Sequence, residues 1–300
     1  MNHIVELKNV NKVFQQYKAV NNVSLTVKKG DMIAILGANG AGKTTIIRMM
    51  LGLMKPNSGE VSIFGGNPKD KKVRNRIGSM LQEVSVMDGL KVKEIVPLIQ
   101  GYYDHPLEIA ELKQLTGFDE KDWNMRTEKL SGGQKRRLNF ALALAGNPDL
   151  LFFDEPTVGM DVTARAHFWK RVKELKKQGK TIIFTTHYLQ EADEVAERMI
   201  MIHKGEIIGD GTPSELKEKL TKPQIMFYEK QAYSMEFYSA LPFVSSVEKE
   251  KEKVTLVTTD SDQLLREIIN KELQVKQIEV KQGRLEEVFS QLLEEHKEVD

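Results

Sequence analysis

Apolar residues fall in two rhythms along the chain, and their order predicts an α/β protein. Residues 4–10 and 23–27 alternate apolar and polar, the period of a half-buried strand. Gly30-Asp31 turns the chain into a continuous apolar run, Met32-Ile33-Ala34-Ile35-Leu36. A glycine-rich stretch follows, and a helical pattern starts at Ile46. Lys55-Pro56-Asn57-Ser58-Gly59 reads as a turn, 60–64 as a short strand and 76–82 as another. From about 92 to 129 the alternation disappears. Residues 92–103 and 106–115 carry apolar side chains at three- and four-residue spacing, which predicts a mostly helical insertion. Beyond it come a helix over 135–145, a strand over 150–154, an amphipathic helix over 163–177 closed by Gly179, and a buried strand over 181–187. Residues 191–197 read as helical, and 199–202 with 206–208 as a hairpin turning at Lys204-Gly205.

The rhythm changes after a short helix that starts at Thr212 and ends at Leu220. Thr221-Lys222-Pro223 reads as a linker. The elements after it are a strand (224–229), a helix (232–240), two strands (244–248 and 254–258), a helix (262–270), a strand (275–280) and a final helix (285–295). The order βαββαβ predicts a small α+β, ferredoxin-like domain. The expected division is therefore 1–220 and 221–300, with a helical subdomain over about 83–145 in the first part. No glycine-rich loop or carboxylate pair marks the second part, which reads as an accessory module.

Composition narrows the classes. The 300 residues carry a net charge of +1, without the basic excess of a dedicated nucleic-acid binder. With no cysteine, disulfides, thiol catalysis and cysteine metal sites are excluded. The N-terminus shows no basic and apolar leader pattern, and no apolar run is long enough to cross a bilayer. A cytosolic chain is expected, and any membrane role would come through another chain.

The chemistry concentrates around Gly37-Ala38-Asn39-Gly40-Ala41-Gly42-Lys43-Thr44-Thr45. Strand, glycine-rich loop and helix in that order is the context of a phosphate-binding P-loop. Glycines let backbone N–H groups approach phosphate oxygens, and the helix N-terminus adds partial positive charge. Lys43 brings a full charge, and the Thr44 hydroxyl can ligate Mg²⁺. The strand at 150–154 ends in Asp154-Glu155, where ligands gather on parallel sheets. Asp154 can share the Mg²⁺ with Thr44, and Glu155 is placed to orient or deprotonate a water. His187 ends its strand at the same sheet edge, either as a structural hydrogen-bonder or as a phosphate contact. Phe14 and Tyr17 read as half-buried strand aromatics, although a ring upstream of a P-loop can stack on adenine. Leu130-Ser131-Gly132-Gly133-Gln134 opens a helix capped by Ser131. This is an anion-binding arrangement, or simply a capped helix with Lys135, Arg136 and Arg137 on a solvated face.

Taken together, these residues resemble the ATP-binding subunit of a bacterial ATP-binding-cassette (ABC) transporter of the exporter-like type with a separate permease. The resemblance covers about 4–220. It rests on the P-loop (Walker A), Gln82 at the Q-loop, the signature Leu130 to Gln134, Walker B ending at Asp154 with Glu155 after it, Gly159-Met160-Asp161 at the D-loop, and His187 at the H-loop. The fold it implies is a P-loop NTPase cassette, with a mixed sheet core, an N-terminal antiparallel β subdomain and a helical insertion. It implies Phe14 stacking on adenine, Gln82 reaching Mg²⁺ or the attacking water, and Ser131 and Gly133 contacting ATP on a second subunit. Glu155 would be the base, His187 the γ-phosphate contact, and Lys43 a charge neutraliser. The implied cofactors are ATP and Mg²⁺. The implied partners are an integral-membrane permease and a second nucleotide-binding subunit, the same chain or a sister, with the complex on the inner face of the membrane. Phe153 and Val162 depart from the usual family residues as packing variants.

The region 221–300 resembles, more loosely, the extension of exporter-type subunits, including Leu285-Glu286-Glu287-Val288-Phe289. Two other readings remain. A translation or DNA-repair ATPase would be expected to carry two cassettes or a long coiled coil, and this chain has one P-loop and no sustained heptads. An importer subunit of the carbohydrate type would carry a longer β-rich domain.

Overall fold

The alternating N-terminal residues form a long hairpin, β1 (His3–Phe14) and β2 (Tyr17–Lys28), which extends beyond the predicted strands. Register shifts between Leu7 and Val10 and between Lys12 and Val13 accommodate the breaks in alternation. This is a computed structural model that describes residues 3–82, 87–220, 222–281 and 285–297. Residues 83–86, where the predicted helical subdomain begins, and Thr221 of the predicted linker lie outside the described residues.

The P-loop strand β3 (Met32–Leu36) is buried throughout and leads into α1 (Lys43–Met50). Next come β4 (Ser58–Ile63), a short α2 (Lys71–Arg74) that the pattern does not predict, and β5 (Ile77–Met80). The insertion contains α3 (Val92–Gln100), α4 (Ile109–Thr116), α5 (Glu120–Trp123), a single 3-10 turn (Thr127–Lys129) and α6 (Gly132–Leu144). It has its own small core of Val92, Ile95, Val96, Leu112, Trp123 and Leu138. The remaining elements of this unit are β6 (Leu150–Asp154), α7 (Val162–Lys177), β7 (Thr181–Thr186), α8 (Leu189–Val195), β8 (Arg198–His203) and β9 (Glu206–Gly211).

These strands make two sheets. One is antiparallel, in the order β2-β1-β4; the other runs β5-β6-β7-β3-β8-β9, parallel except for β9. Helix α1 lies between them. Ile46, Ile47, Met49 and Met50 share a core with Val5, Leu7 and Leu25 of the first sheet and Ile33, Ile35 and Phe152 of the second. The other face of the larger sheet is aromatic. Phe140, Phe153, Phe168, Trp169 and Phe184 form a chain of ring contacts with centroids 4.7–5.9 Å apart. Burying each such ring contributes about 1.5–3 kcal/mol, so this layer anchors α6 and α7 to the sheet. Gly78 sets how closely α6 approaches, because a Cβ there would come 2.0 Å from the Ala143 carbonyl oxygen.

The chain divides into two units, Met1–Gly211 and Thr212–Asp300. The second begins with α9 (Pro213–Leu220), which packs on the last helix and so starts ahead of the linker read from the sequence. It continues with β10 (Gln224–Glu229), α10 (Met235–Ser239), β11 (Val244–Glu250), β12 (Lys253–Thr258), α11 (Ser261–Asn270), β13 (Val275–Lys281) and α12 (Leu285–Lys297). Helix α10 is shorter than the 232–240 pattern because the Ser234 side chain accepts the Phe237 N–H and fixes its start. The sheet is antiparallel in the order β11-β12-β10-β13, the ferredoxin-like arrangement. Ile225, Phe227, Val254 and Leu256 face Leu264 and Ile268 of α11 in its core. Among the described residues of the chain, no helix is long and apolar enough to cross a membrane.

Candidate active site

Because β3, β6 and β7 run parallel side by side, their carboxyl ends deliver the P-loop, Asp154-Glu155 and His187 to one edge. The P-loop is braced from behind. The Gly205 N–H donates to the Ala41 carbonyl at 2.9 Å, and the Asn21 N–H donates to the Gly205 carbonyl at 2.8 Å. Gly42 starts α1 at φ 110°, and a Cβ there would lie 2.4 Å from the Ala19 carbonyl oxygen. Only glycine fits that combination of conformation and contact.

Lys43 is buried and folds back over its own loop, donating to the Gly37 and Ala38 carbonyls at 2.7 and 3.3 Å. Its Nζ lies 3.4 Å from Glu155 Oε1. Glu155 takes a left-handed backbone, φ 50°, which costs a non-glycine residue on the order of 1–3 kcal/mol. Its N–H donates to Thr185 Oγ1 at 2.9 Å, which helps hold that turn. The side chain is 5% exposed, and Oε2 meets His187 Nδ1 at 2.7 Å. A buried carboxylate is thus clasped between a lysine and a histidine, each from a different element.

Asp154 is equally enclosed. Its Oδ1 accepts from Thr185 Oγ1 at 2.6 Å and from Thr44 Oγ1 at 3.3 Å, while Oδ2 is buried without a hydrogen-bond partner. An orphaned carboxylate oxygen beside a threonine hydroxyl is a hard oxygen donor set that fits Mg²⁺.

A cavity of about 340 Å³ opens over Lys43, Thr44 and Glu155, while Asp154 and His187 stand behind its wall. Residues 38–45, Gln82 and Glu155 line it, together with Phe14, Tyr17 and Ala19. The structure corrects the reading of the two rings. Phe14 and Tyr17 sit at the hairpin tip, 43% and 54% exposed, and flank the cavity because the strands outrun the alternation that suggested half-burial. Tyr17 also donates its hydroxyl to the Gly40 carbonyl at 2.6 Å, and Lys12 lies 5.3 Å from the centre of the Phe14 ring.

The signature residues lie elsewhere. Ser131, Gly132, Gly133 and Gln134 do not line this cavity; they form the exposed N-terminus of α6. Ser131 Oγ accepts the Gln134 N–H at 3.2 Å while Gln134 Oε1 accepts the Ser131 N–H at 2.8 Å, a reciprocal capping box. Gln134 Nε2 donates to Asp122 at 2.8 Å, so its amide is engaged within the chain. Nor is the basic face that follows simply solvated. Arg136 is half-buried and donates to the Pro156 carbonyl, and burial lowers its pKa; Arg137 covers the Phe118 ring at 5.1 Å. Asp161 caps α7 by accepting the Ala164 N–H at 2.8 Å. The sequence reading missed Thr185, Thr157 and Glu191, because single hydroxyls and one acid in a helical pattern carry no motif of their own.

A P-loop on a parallel strand, an adjoining acid pair and a histidine at one sheet edge define a P-loop nucleotide hydrolase. Residues 20–158 match the ABC transporter family. The Nod factor export ATP-binding protein I of Burkholderia lata is 37% identical over 71% of this chain and 72% of its own length. The daunorubicin/doxorubicin resistance ATP-binding protein DrrA of Streptomyces peucetius is 38% identical over 72% of this chain and 67% of its own. A solved structure of the ATP-binding cassette MJ0796, a dimeric post-hydrolysis state bound to ADP and Pi, is 30% identical, covers 70% of this chain and 98% of that one, and superposes with TM-score 0.63. The chain belongs to the ABC transporter family as one of its ATP-binding subunits, an ATPase.

Proposed function

We propose that the chain powers export through a separate membrane permease, working as a pair of cassettes on the cytoplasmic face of the membrane. The observation that carries this reading is spatial. The P-loop and Glu155 line one cavity, with His187 bonded to Glu155 behind it, while the capped start of α6 stands exposed and apart from that cavity. A helix N-terminus with two leading glycines is suited to phosphate, so a second copy is needed to bring one against this cavity. The export-type names of the relatives support the direction of transport.

In the proposed mechanism, Phe14 and Tyr17 hold the adenine side and the N–H groups of 38–45 cradle the phosphates. Thr44 and Asp154, with Gln82 at the rim, would hold Mg²⁺, which supplies neutralisation of phosphate charge. Lys43 adds its own charge to the outer phosphates. Glu155 orients the attacking water and takes its proton, and His187 steadies both Glu155 and the γ-phosphate. Ser131 and Gly133 of the second copy close over the same γ-phosphate. ATP then bridges the copies, and hydrolysis removes the differential affinity that favours the closed pair.

The test is a pull-down of tagged Glu155→Gln protein from native membranes with Mg-ATP, followed by mass spectrometry. Recovery of a polytopic membrane protein is the expected result, and its identity narrows the cargo. Ribosomal or DNA-associated partners in its place would favour a non-transport ATPase.

A further inference from the structure

One buried acid takes no part in that mechanism. Glu191, on α8, is 6% exposed, and its carboxylate is reached from three directions. Thr157 Oγ1, in the turn after Glu155, donates to Glu191 Oε2 at 2.8 Å. Thr186 Oγ1, immediately before His187, lies 3.5 Å from the same oxygen. Arg165 Nε, in the first turns of α7 after Asp161, lies 3.0 Å from Oε1.

The contacts continue outward to the histidine. Thr186 Oγ1 accepts the Tyr188 N–H at 2.9 Å, so the hydroxyl beside Glu191 also fixes the backbone just past His187. The Arg165 guanidinium lies 5.0 Å from the centre of the Tyr188 ring, and that ring packs on His187 at 4.1 Å. Both threonines are fully buried, at 1% and 0% exposure. Burial pushes the Glu191 carboxyl pKa up, while the Thr157 and Arg165 contacts pull it back.

We propose that Glu191 is a positioning residue for ATP hydrolysis, tying the turn after Glu155, the start of α7 and the His187 strand end into one unit. A carboxylate suits the place because it only accepts, and its three neighbours donate two hydroxyl protons and a guanidinium charge. Without it, the three segments carrying Glu155, Asp161 and His187 lose their common anchor, and small displacements at a reacting centre are costly in rate. The proposal rests on the assignment of Glu155 and His187 to the reaction.

Steady-state ATPase assays on the full chain test it. Glu191→Gln and Thr157→Val each lower kcat by about 10-fold or more while KM for Mg-ATP changes less than about 3-fold, the pattern of an interaction felt in the transition state. Thr157→Ser, which keeps the hydroxyl, recovers most of what Thr157→Val loses. A packing role would give the opposite order, because valine preserves volume and serine does not. The proposal falls if Thr157→Val retains wild-type kcat, or if valine is tolerated better than serine. His187→Ala serves as the control. If it hydrolyses ATP like the wild type, the site assignment fails and the proposal with it. If it is inactive while Glu191→Gln is fully active, the proposal alone fails.

Discussion

Two buried carboxylates, one in each unit, are held in different ways, one closed off by its partners and one at a cavity wall. Glu229 of β10 is 6% exposed and fully engaged within its own unit. Lys249 Nζ lies 2.6 Å from Oε1, the Tyr238 hydroxyl donates to Oε2 at 2.9 Å, and the Tyr233 N–H adds a contact at 3.3 Å. Burial raises its pKa, but these three partners outweigh that and hold it below the ordinary value; the Tyr238 phenol is pushed well up. Glu155 of the first unit is as deeply buried, yet it sits on a left-handed backbone at a cavity wall, next to an Asp154 oxygen that has no partner. The lesson is one of saturation. A closed network specifies a fold, whereas an incomplete one at a cavity leaves capacity for a ligand.

The largest expected effect breaks the reactive side. Glu155→Gln lowers kcat by about 10²–10⁴-fold, the range for loss of a general base. Thermal unfolding of the same variant separates this loss from misfolding: the protein stays folded, because Lys43 keeps the Gly37 and Ala38 carbonyls as partners when its counter-charge is gone. Wild-type-like hydrolysis would exclude Glu155 as the base.

Breaking the structural side reverses the pattern. Glu229→Ala takes the carboxylate from Lys249, which keeps the Tyr233 carbonyl, and leaves the buried Tyr238 hydroxyl without its acceptor, destabilising the second unit by about 1–3 kcal/mol, read from urea unfolding. ATP hydrolysis by the folded protein is expected to persist. The pH dependence follows from the sign of the shift. A carboxyl whose folded pKa lies below its ordinary 4.5 stabilises the unit above that value, and the contribution is lost as pH falls through the folded pKa. Glu229→Gln flattens that acid limb; an unchanged acid limb would show that other carboxyls carry it.

The smallest effect sharpens the cavity rim. If Phe14 stacks on adenine as proposed, Phe14→Ala removes a contact worth about 1–3 kcal/mol, so KM for ATP rises several-fold or more while kcat changes little. Tyr17→Phe removes only the bond to Gly40 and gives a smaller rise. If Tyr17→Phe exceeds Phe14→Ala, the hydroxyl brace matters more than the ring.

Legibility in the sequence followed the range of the interactions. The P-loop, Asp154-Glu155 and Ser131-Gly132-Gly133 are local patterns, and each turns up on the strand end or helix start their neighbours predict. Strand and helix order in the second unit was also readable, because alternation and three- or four-residue spacing are local. What was not readable depends on residues far apart in the chain. Thr185 holds both Asp154 and Glu155 across a strand pair, and Glu191 gathers Thr157 and Arg165. Tyr17 meets Gly40 only because the hairpin folds over the P-loop. Arg136 looked solvated because its partner, the Pro156 carbonyl, lies on another element.

Sedimentation velocity of Glu155→Gln protein with and without Mg-ATP addresses the proposed pairing of cassettes most directly. The account predicts a monomer without nucleotide, a dimer with ATP, and a monomer in both conditions once Ser131→Arg is added. A dimer that forms without ATP, or one that survives Ser131→Arg, would contradict the pairing of each P-loop cavity with the partner's α6 start.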